Sequence, residues 1–155
     1  MRAAKPKKKR KLSAVKRDAL AWLSKCIRLS EAAVTGYGSC VTCGHGDNWV
    51  DLQAGHFVAR AQGNLAAFDI RNIHTQCFRC NINLGGNGAE YFPWMVAKYG
   101  QEVVEEIRQL AGKTVKYTQW DYEQMAEHYS LEFKRIEAAK HEGRHVVLRQ
   151  WINPE

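Results

Sequence analysis

The sequence predicts a small α+β protein, mostly helical, with a cysteine-stapled core flanked by helices at both ends. Three observations predict this class. Two Cys-x-x-Cys pairs, Cys40/Cys43 and Cys77/Cys80, enclose 33 residues. Apolar residues recur at helical spacing before the first pair and after the second. Between the pairs the pattern shortens to strand-like runs such as Trp49-Val50-Asp51-Leu52 and His56-Phe57-Val58.

Residues 1–11 read as a basic flexible arm, carrying Lys5-Pro6-Lys7-Lys8-Lys9-Arg10-Lys11. Residues 12–36 form the N-terminal helical unit, with Ser13 as a candidate cap and Val15, Ala19, Leu20, Leu23, Ile27 and Leu29 as its apolar face. Residues 37–89 make the core, in which the segment from Asn48 to Arg60 predicts a β-hairpin and a short helix begins near Cys77–Asn81. Residues 90–145 are a helical region. Its segments cover Tyr91–Lys98, stopped by Gly100, then Gln101–Ala111 and a long helix to about His141, capped by Thr118 and Asp121. Residues 146–155 form a tail without a readable pattern.

A chain of 155 residues with 45% hydrophobic content suits one compact domain plus a tail. No apolar run reaches the roughly 18–20 residues a membrane helix needs. The charged N-terminus carries no hydrophobic signal segment. These features predict an intracellular, reducing setting without a membrane partner, in which cysteines serve as metal ligands rather than disulfides. The net charge of +7 points to a polyanion, DNA first.

Two Cys-x-x-Cys turns facing each other supply four thiolates to one tetrahedral ion, and Zn²⁺ suits four sulfurs without redox chemistry. Such a site has no open position, so Cys40, Cys43, Cys77 and Cys80 predict a structural zinc. Cys26 falls on the first helix's apolar face as a core thiol, and Phe78 reads as core packing. His45 reads as a turn residue, and His128, His141 and His145 as solvated helical surface. Tyr91, Phe92, Trp94, Tyr99, Trp120, Tyr122 and Tyr129 predict a buried aromatic face.

Ala54-Gly55-His56-Phe57, Arg71-Asn72-Ile73-His74-x-Gln76-Cys77-x-x-Cys80-Asn81 and Gly100-Gln101-Glu102-x-Val104-x-Glu106-Ile107 carry a resemblance. Over roughly Cys40 to Tyr129 the chain resembles the NinG/Rap family of lambdoid phage recombination nucleases. Its order of cysteine pairs, His and two Asn is similar to the HNH (ββα-metal) nucleases, among them phage endonuclease VII. The resemblance implies a metal-dependent, structure-selective DNA endonuclease acting on Holliday junctions or displacement loops in a phage-infected bacterial cytoplasm. It assigns His56 as general base, Asn72 as the brace of its loop, and Asn81 as a ligand to catalytic Mg²⁺ or Mn²⁺. Products would carry a 5′ phosphate and a 3′ hydroxyl.

Arg60, Arg71 and Arg79, with Lys7, Lys8, Lys9 and Arg10 of the arm, are the candidate phosphate contacts. Symmetric cutting of a junction favours a homodimer built on the first and C-terminal helices, with host or phage recombination proteins as further partners. Two departures from the HNH pattern stand out. Gly55 occupies the position where many HNH enzymes place an Asp metal ligand, leaving Asp51, Gln53 or His74 to replace it, with His74 preferred from strand alternation. Leu84 stands where a basic residue often follows. The alternatives are a non-catalytic zinc module in recombination and a sequence-specific HNH endonuclease.

Overall fold

In a computed structural model describing residues 10–153, the chain is mixed α+β and mostly helical. Helix α1 spans Leu12–Glu31 and buries Val15, Ala19, Leu23, Cys26 and Ile27, the face its apolar spacing predicts. Its N-cap is Lys11, which makes no side-chain capping bond. Ser13 therefore lies inside the first turn and is not the cap.

Four short strands follow. β1 (Tyr37–Ser39) pairs antiparallel with β2 (Gly46–Asn48), so the first cysteine turn is the loop of this ribbon. β3 (Gln53–His56) pairs antiparallel with β4 (Ile73–Gln76), placing Gly55 opposite His74 and His56 opposite Ile73. The predicted hairpin within residues 48–60 does not form, because Trp49–Asp51 turns instead of extending. The partner of β3 lies beyond the short helix α2 (Asn64–Phe68). A π-type turn over Arg79–Asn83 carries the second cysteine pair onward.

Three helices complete the chain: α3 (Gly88–Tyr99), α4 (Gln101–Arg108) and α5 (Gln119–His141). Gly100 separates α3 from α4 at φ +83°, a conformation that side-chain-bearing residues rarely adopt. Thr118 and Asp121 form the predicted reciprocal capping box of α5.

Helices α1 and α5 pack along their length, joining Leu23, Ile27, Met125, Tyr129 and Ile136 in the main core. The apolar faces of these two helices are thus engaged with each other inside one chain. A second core gathers Val58, Tyr91, Met95, Val104 and Ile107. Of the predicted aromatic face, Tyr91, Tyr122 and Tyr129 are buried, whereas Trp120 is exposed.

The last segment is an ordered strap. Leu148 is buried, and Gln150 accepts from Ile70 N at 2.9 Å and donates to Phe68 O at 3.0 Å. Buried Glu132 takes Arg135 and Arg149 onto its carboxylate. Burial pushes that carboxyl up, but the two guanidiniums prevail and hold it down to about 2.

Candidate metal centre and adjoining cavity

The four cysteines converge. Their sulfurs all lie within 4.8 Å of one another, and Cys43 Sγ is 3.7 Å from Cys77 Sγ. Zinc–sulfur bonds of about 2.3 Å in a tetrahedron put sulfurs roughly 3.8 Å apart, so this cluster can hold a metal such as zinc. Cys40, Cys77 and Cys80 are buried, while Cys43 is exposed. Polar groups surround the sulfurs: Thr42 Oγ1 lies 3.2 Å from Cys40 Sγ, and Asn87 Nδ2 donates to Cys80 Sγ at 3.5 Å. Cys26 is apart from the cluster. Its thiol donates to Tyr129 O at 3.0 Å, and burial pushes its pKa up to about 12, the character of an inert core thiol.

Beside the cluster opens a cavity of about 410 Å³, lined by His56, Arg60, Asn81, Ala54, Ile73 and Gly86 among others. His56 ends β3, and Asn81 sits in the π-type turn directly after Cys80. The cysteine cluster ties that turn to β1 and β2, so the two side chains reach one cavity from different parts of the chain. His56 Nε2 is 3.1 Å from the carbonyl oxygen of Ala67. A carbonyl only accepts, so Nε2 carries the proton and Nδ1 keeps its lone pair. Burial lowers the His56 pKa below 6.5, and nearby Arg60 adds to this against the raising effect of the Ala67 bond. Burial thus favours the neutral ring, in which Nδ1 is the basic nitrogen.

Asn72 is fully buried and braces the segment after His56. Its Oδ1 accepts from Val58 N at 2.7 Å, while Nδ2 donates to Val58 O at 2.9 Å and Ala66 O at 2.8 Å. Tyr91 of α3 donates to Gly55 O at 2.9 Å, a contact no sequence pattern announced.

His74 is not brought to this cavity. Its side chain sits among Glu31, Tyr99 and Arg71 O, with Nδ1 2.5 Å from Glu31 Oε1 and Nε2 3.1 Å from the Tyr99 hydroxyl. Because Ile73 shares the His56 cavity, strand alternation sends its neighbour His74 to the opposite face. The preference for His74 as a metal ligand is therefore corrected. Asp51 lies in a cavity beside Cys43 and is likewise outside the His56 cavity.

Other predicted contacts separate in the same way. Arg60 is exposed at the cavity, and Arg79 is exposed beside the cysteine cluster. Arg71 instead binds Asp69 at 2.8 Å and Glu106 at 3.2 Å. Arg10 pairs with Asp18, and Lys7, Lys8 and Lys9 lie outside the described residues. Phe78 is 55% exposed rather than core, because the turn that buries Cys77 and Cys80 points the residue between them outward.

Sequence reasoning gave Gln76 no role and offered Gln53 only as a substitute metal ligand, whereas Gln53 binds the Asn81 side chain. Asn81 Nδ2 donates to Gln53 Oε1 at 2.7 Å. Gln76 is fully buried against Gly55: a Cβ at residue 55 would fall 2.7 Å from Gln76 Cδ, nearer still to its Oε1, and 3.1 Å from Asn81 Oδ1. An Asp at position 55 has no room. The available signal was Gln76 itself, a polar residue in a strand whose neighbours are all buried.

The model for the Bacteriophage Lambda NinG protein family matches residues 1–140.

The chain belongs to the NinG family.

Among its relatives, the ninG proteins of Escherichia phage 933W and Escherichia phage lambda are 38% and 37% identical to it over 68 residues. That of Salmonella phage P22 is 35% identical over the same length. In each case the match covers 44% of this chain and 33% of the relative, so it spans about a third of the curated NinG proteins. No solved structure matches. Among the described residues, no helix is long and apolar enough to cross a membrane.

Proposed function

We propose that this NinG protein is a metal-dependent DNA endonuclease of the HNH type, acting on branched recombination intermediates in the phage-infected bacterial cell. The observation that carries the reading is the shared cavity of His56 and Asn81 beside a four-cysteine cluster. Two antiparallel strands followed by a helical turn, with a base on the first and a carboxamide on the turn, is the order the HNH resemblance calls for. A pure binding module has no need for a desolvated imidazole and a carboxamide lining one cavity beside the cysteine cluster.

In this mechanism His56 Nδ1 removes a proton from a water, and the oxygen attacks phosphorus in line. The P–O3′ bond breaks, and the departing oxygen takes a proton from solvent, leaving a 5′ phosphate and a 3′ hydroxyl. Positioned proton transfer of this kind contributes about 10²–10⁴ in rate. Asn72 holds the backbone around His56, and Arg60 faces the phosphate from the cavity wall. Asn81 Oδ1 suits a hard divalent cation, Mg²⁺ or Mn²⁺, which when bound stabilises charge on the phosphoryl group and departing oxygen. The zinc held by the four thiolates is structural. Symmetric cleavage of a junction calls for two active sites, hence a homodimer on the DNA.

The test is cleavage of a synthetic four-way junction, a displacement loop and a linear duplex with Mg²⁺, Mn²⁺ or EDTA. Cutting of the branched substrates that needs the cation and disappears in His56→Ala supports the proposal. Junction binding without cutting under every condition favours a non-catalytic zinc module. One defined cut in the linear duplex favours a sequence-specific enzyme.

A further inference from the structure

Gln76 does not line the cavity. It is buried on the His74 face of β4, behind the Asn81 and Gly86 wall, and the fold leaves its chemistry unused. Among the described residues, its Oε1 is one of two buried side-chain polar atoms without a hydrogen-bond partner, the other being Thr75 Oγ1. The amide cannot relieve this by turning over. Its Nε2 donates to Gly86 O at 2.9 Å and to Thr42 Oγ1 at 3.2 Å, and a backbone carbonyl accepts only from the nitrogen side. Oε1 is thereby fixed toward Gly55, a costly position for an unpaired oxygen.

The second oxygen at this point belongs to Asn81. Its Nδ2 is committed to Gln53, which leaves Oδ1 facing the same small volume, 3.1 Å from where a Cβ of residue 55 would stand. Gln76 Oε1 is closer still to that point. Two carbonyl oxygens converge with no donor between them, and glycine at 55 is what gives them the space.

We infer that Gln76 Oε1 and Asn81 Oδ1 are the two protein ligands of a hard divalent cation, in a site that lacks a carboxylate and fills only when a DNA phosphate completes it. The inference rests on the nuclease reading and names the second ligand of its metal. Carbonyl oxygens bind such cations, and Mg²⁺-like ions retain waters and take phosphate oxygens for the rest. No Asp or Glu lines the cavity, and Arg60 adds positive charge. Two neutral donors beside a guanidinium hold a dication weakly, and the phosphate supplies the missing negative charge.

The experiment follows free Mn²⁺ by electron paramagnetic resonance during titration of the full-length His56→Ala protein, alone and bound to a four-way junction, with DNA-only titrations subtracted. The parent should bind Mn²⁺ at least tenfold more tightly with DNA than without. Gln76→Leu should weaken binding in the complex tenfold or more at unchanged zinc content. Gln76→Glu should raise DNA-free Mn²⁺ affinity tenfold or more. Parental Mn²⁺ binding in a folded Gln76→Leu protein overturns the inference; if that variant loses its zinc, absence of a gain in Gln76→Glu overturns it instead. Cleavage by the His56 protein is measured in parallel. Cutting that is insensitive to residue 76, with unchanged Mn²⁺ binding, sinks this inference alone. Mn²⁺ binding through residue 76 without any cutting sinks the nuclease reading and leaves the cation site.

Discussion

The side-chain oxygen of Gln76 occupies the space into which a Cβ on Gly55 would project. The two residues are diagonal neighbours across β3 and β4, and one is small because the other is large. Gly55→Asp should therefore destabilise the fold by about 1–3 kcal/mol through overpacking. Gly55→Asp combined with Gln76→Ala should recover part of that loss. A double-mutant cycle in urea showing simple additivity would mean the two side chains do not compete for one space.

Asn72→Ala removes three hydrogen bonds and leaves Val58 N, Val58 O and Ala66 O without their partner. A loss of roughly 2–4 kcal/mol in urea unfolding is expected, since each orphaned buried group costs about 1–3 kcal/mol with some relaxation. Cleavage should fall even in the folded fraction, because the segment carrying His56 loses its brace. Full stability in the variant would show that the carboxamide is dispensable.

Metal content separates the five cysteines. The intact protein should hold one Zn²⁺, and Cys40→Ser or Cys80→Ser should release it and unfold the core, since structural zinc is worth on the order of 10–16 kcal/mol in zinc-finger peptides. Cys26→Ala should keep the zinc and lose only packing, because this thiol lies in the α1–α5 core. Zinc analysis alongside circular dichroism reads both outcomes.

Acid should act on His56 in two ways. Burial lowers its pKa below 6.5, so cleavage should rise with pH through a midpoint below 6.5 and then level off as the base becomes fully neutral. The same shift affects stability. Below about pH 6.5 the unfolded chain takes up a proton that the folded ring resists, so this residue's effect is a loss of stability as pH falls toward the folded pKa. A pH–rate profile with its midpoint well above 6.5 would remove His56 from the role of base.

Arg60 and Arg71 should differ on DNA. Arg60 is exposed at the cavity, whereas Arg71 is tied to Asp69 and Glu106. Arg60→Ala should weaken junction binding and lower the slope of log affinity against log salt by about one. Arg71→Ala should leave that slope unchanged and lower the unfolding temperature. Fluorescence anisotropy across a salt series measures the first, thermal melts the second.

Local patterns in the chain were enough for much of this protein. Helix faces, the Thr118–Asp121 cap and the Gly100 break depend on residues a few positions apart, so spacing alone determined them. The two cysteine turns lie 33 residues apart and were matched by the chemistry of four thiolates. His56, Asn72 and Asn81 were singled out by the resemblance to the HNH nucleases. What only the tertiary structure decided are the relations across the chain. β3 pairs with β4 beyond α2 rather than with its neighbour, His74 turns to Glu31, Phe78 faces outward, and Gln76 fills the space beside Gly55. Each of these depends on which backbone packs against which, and on where a buried polar group finds, or fails to find, its partner. No period in a linear sequence encodes that.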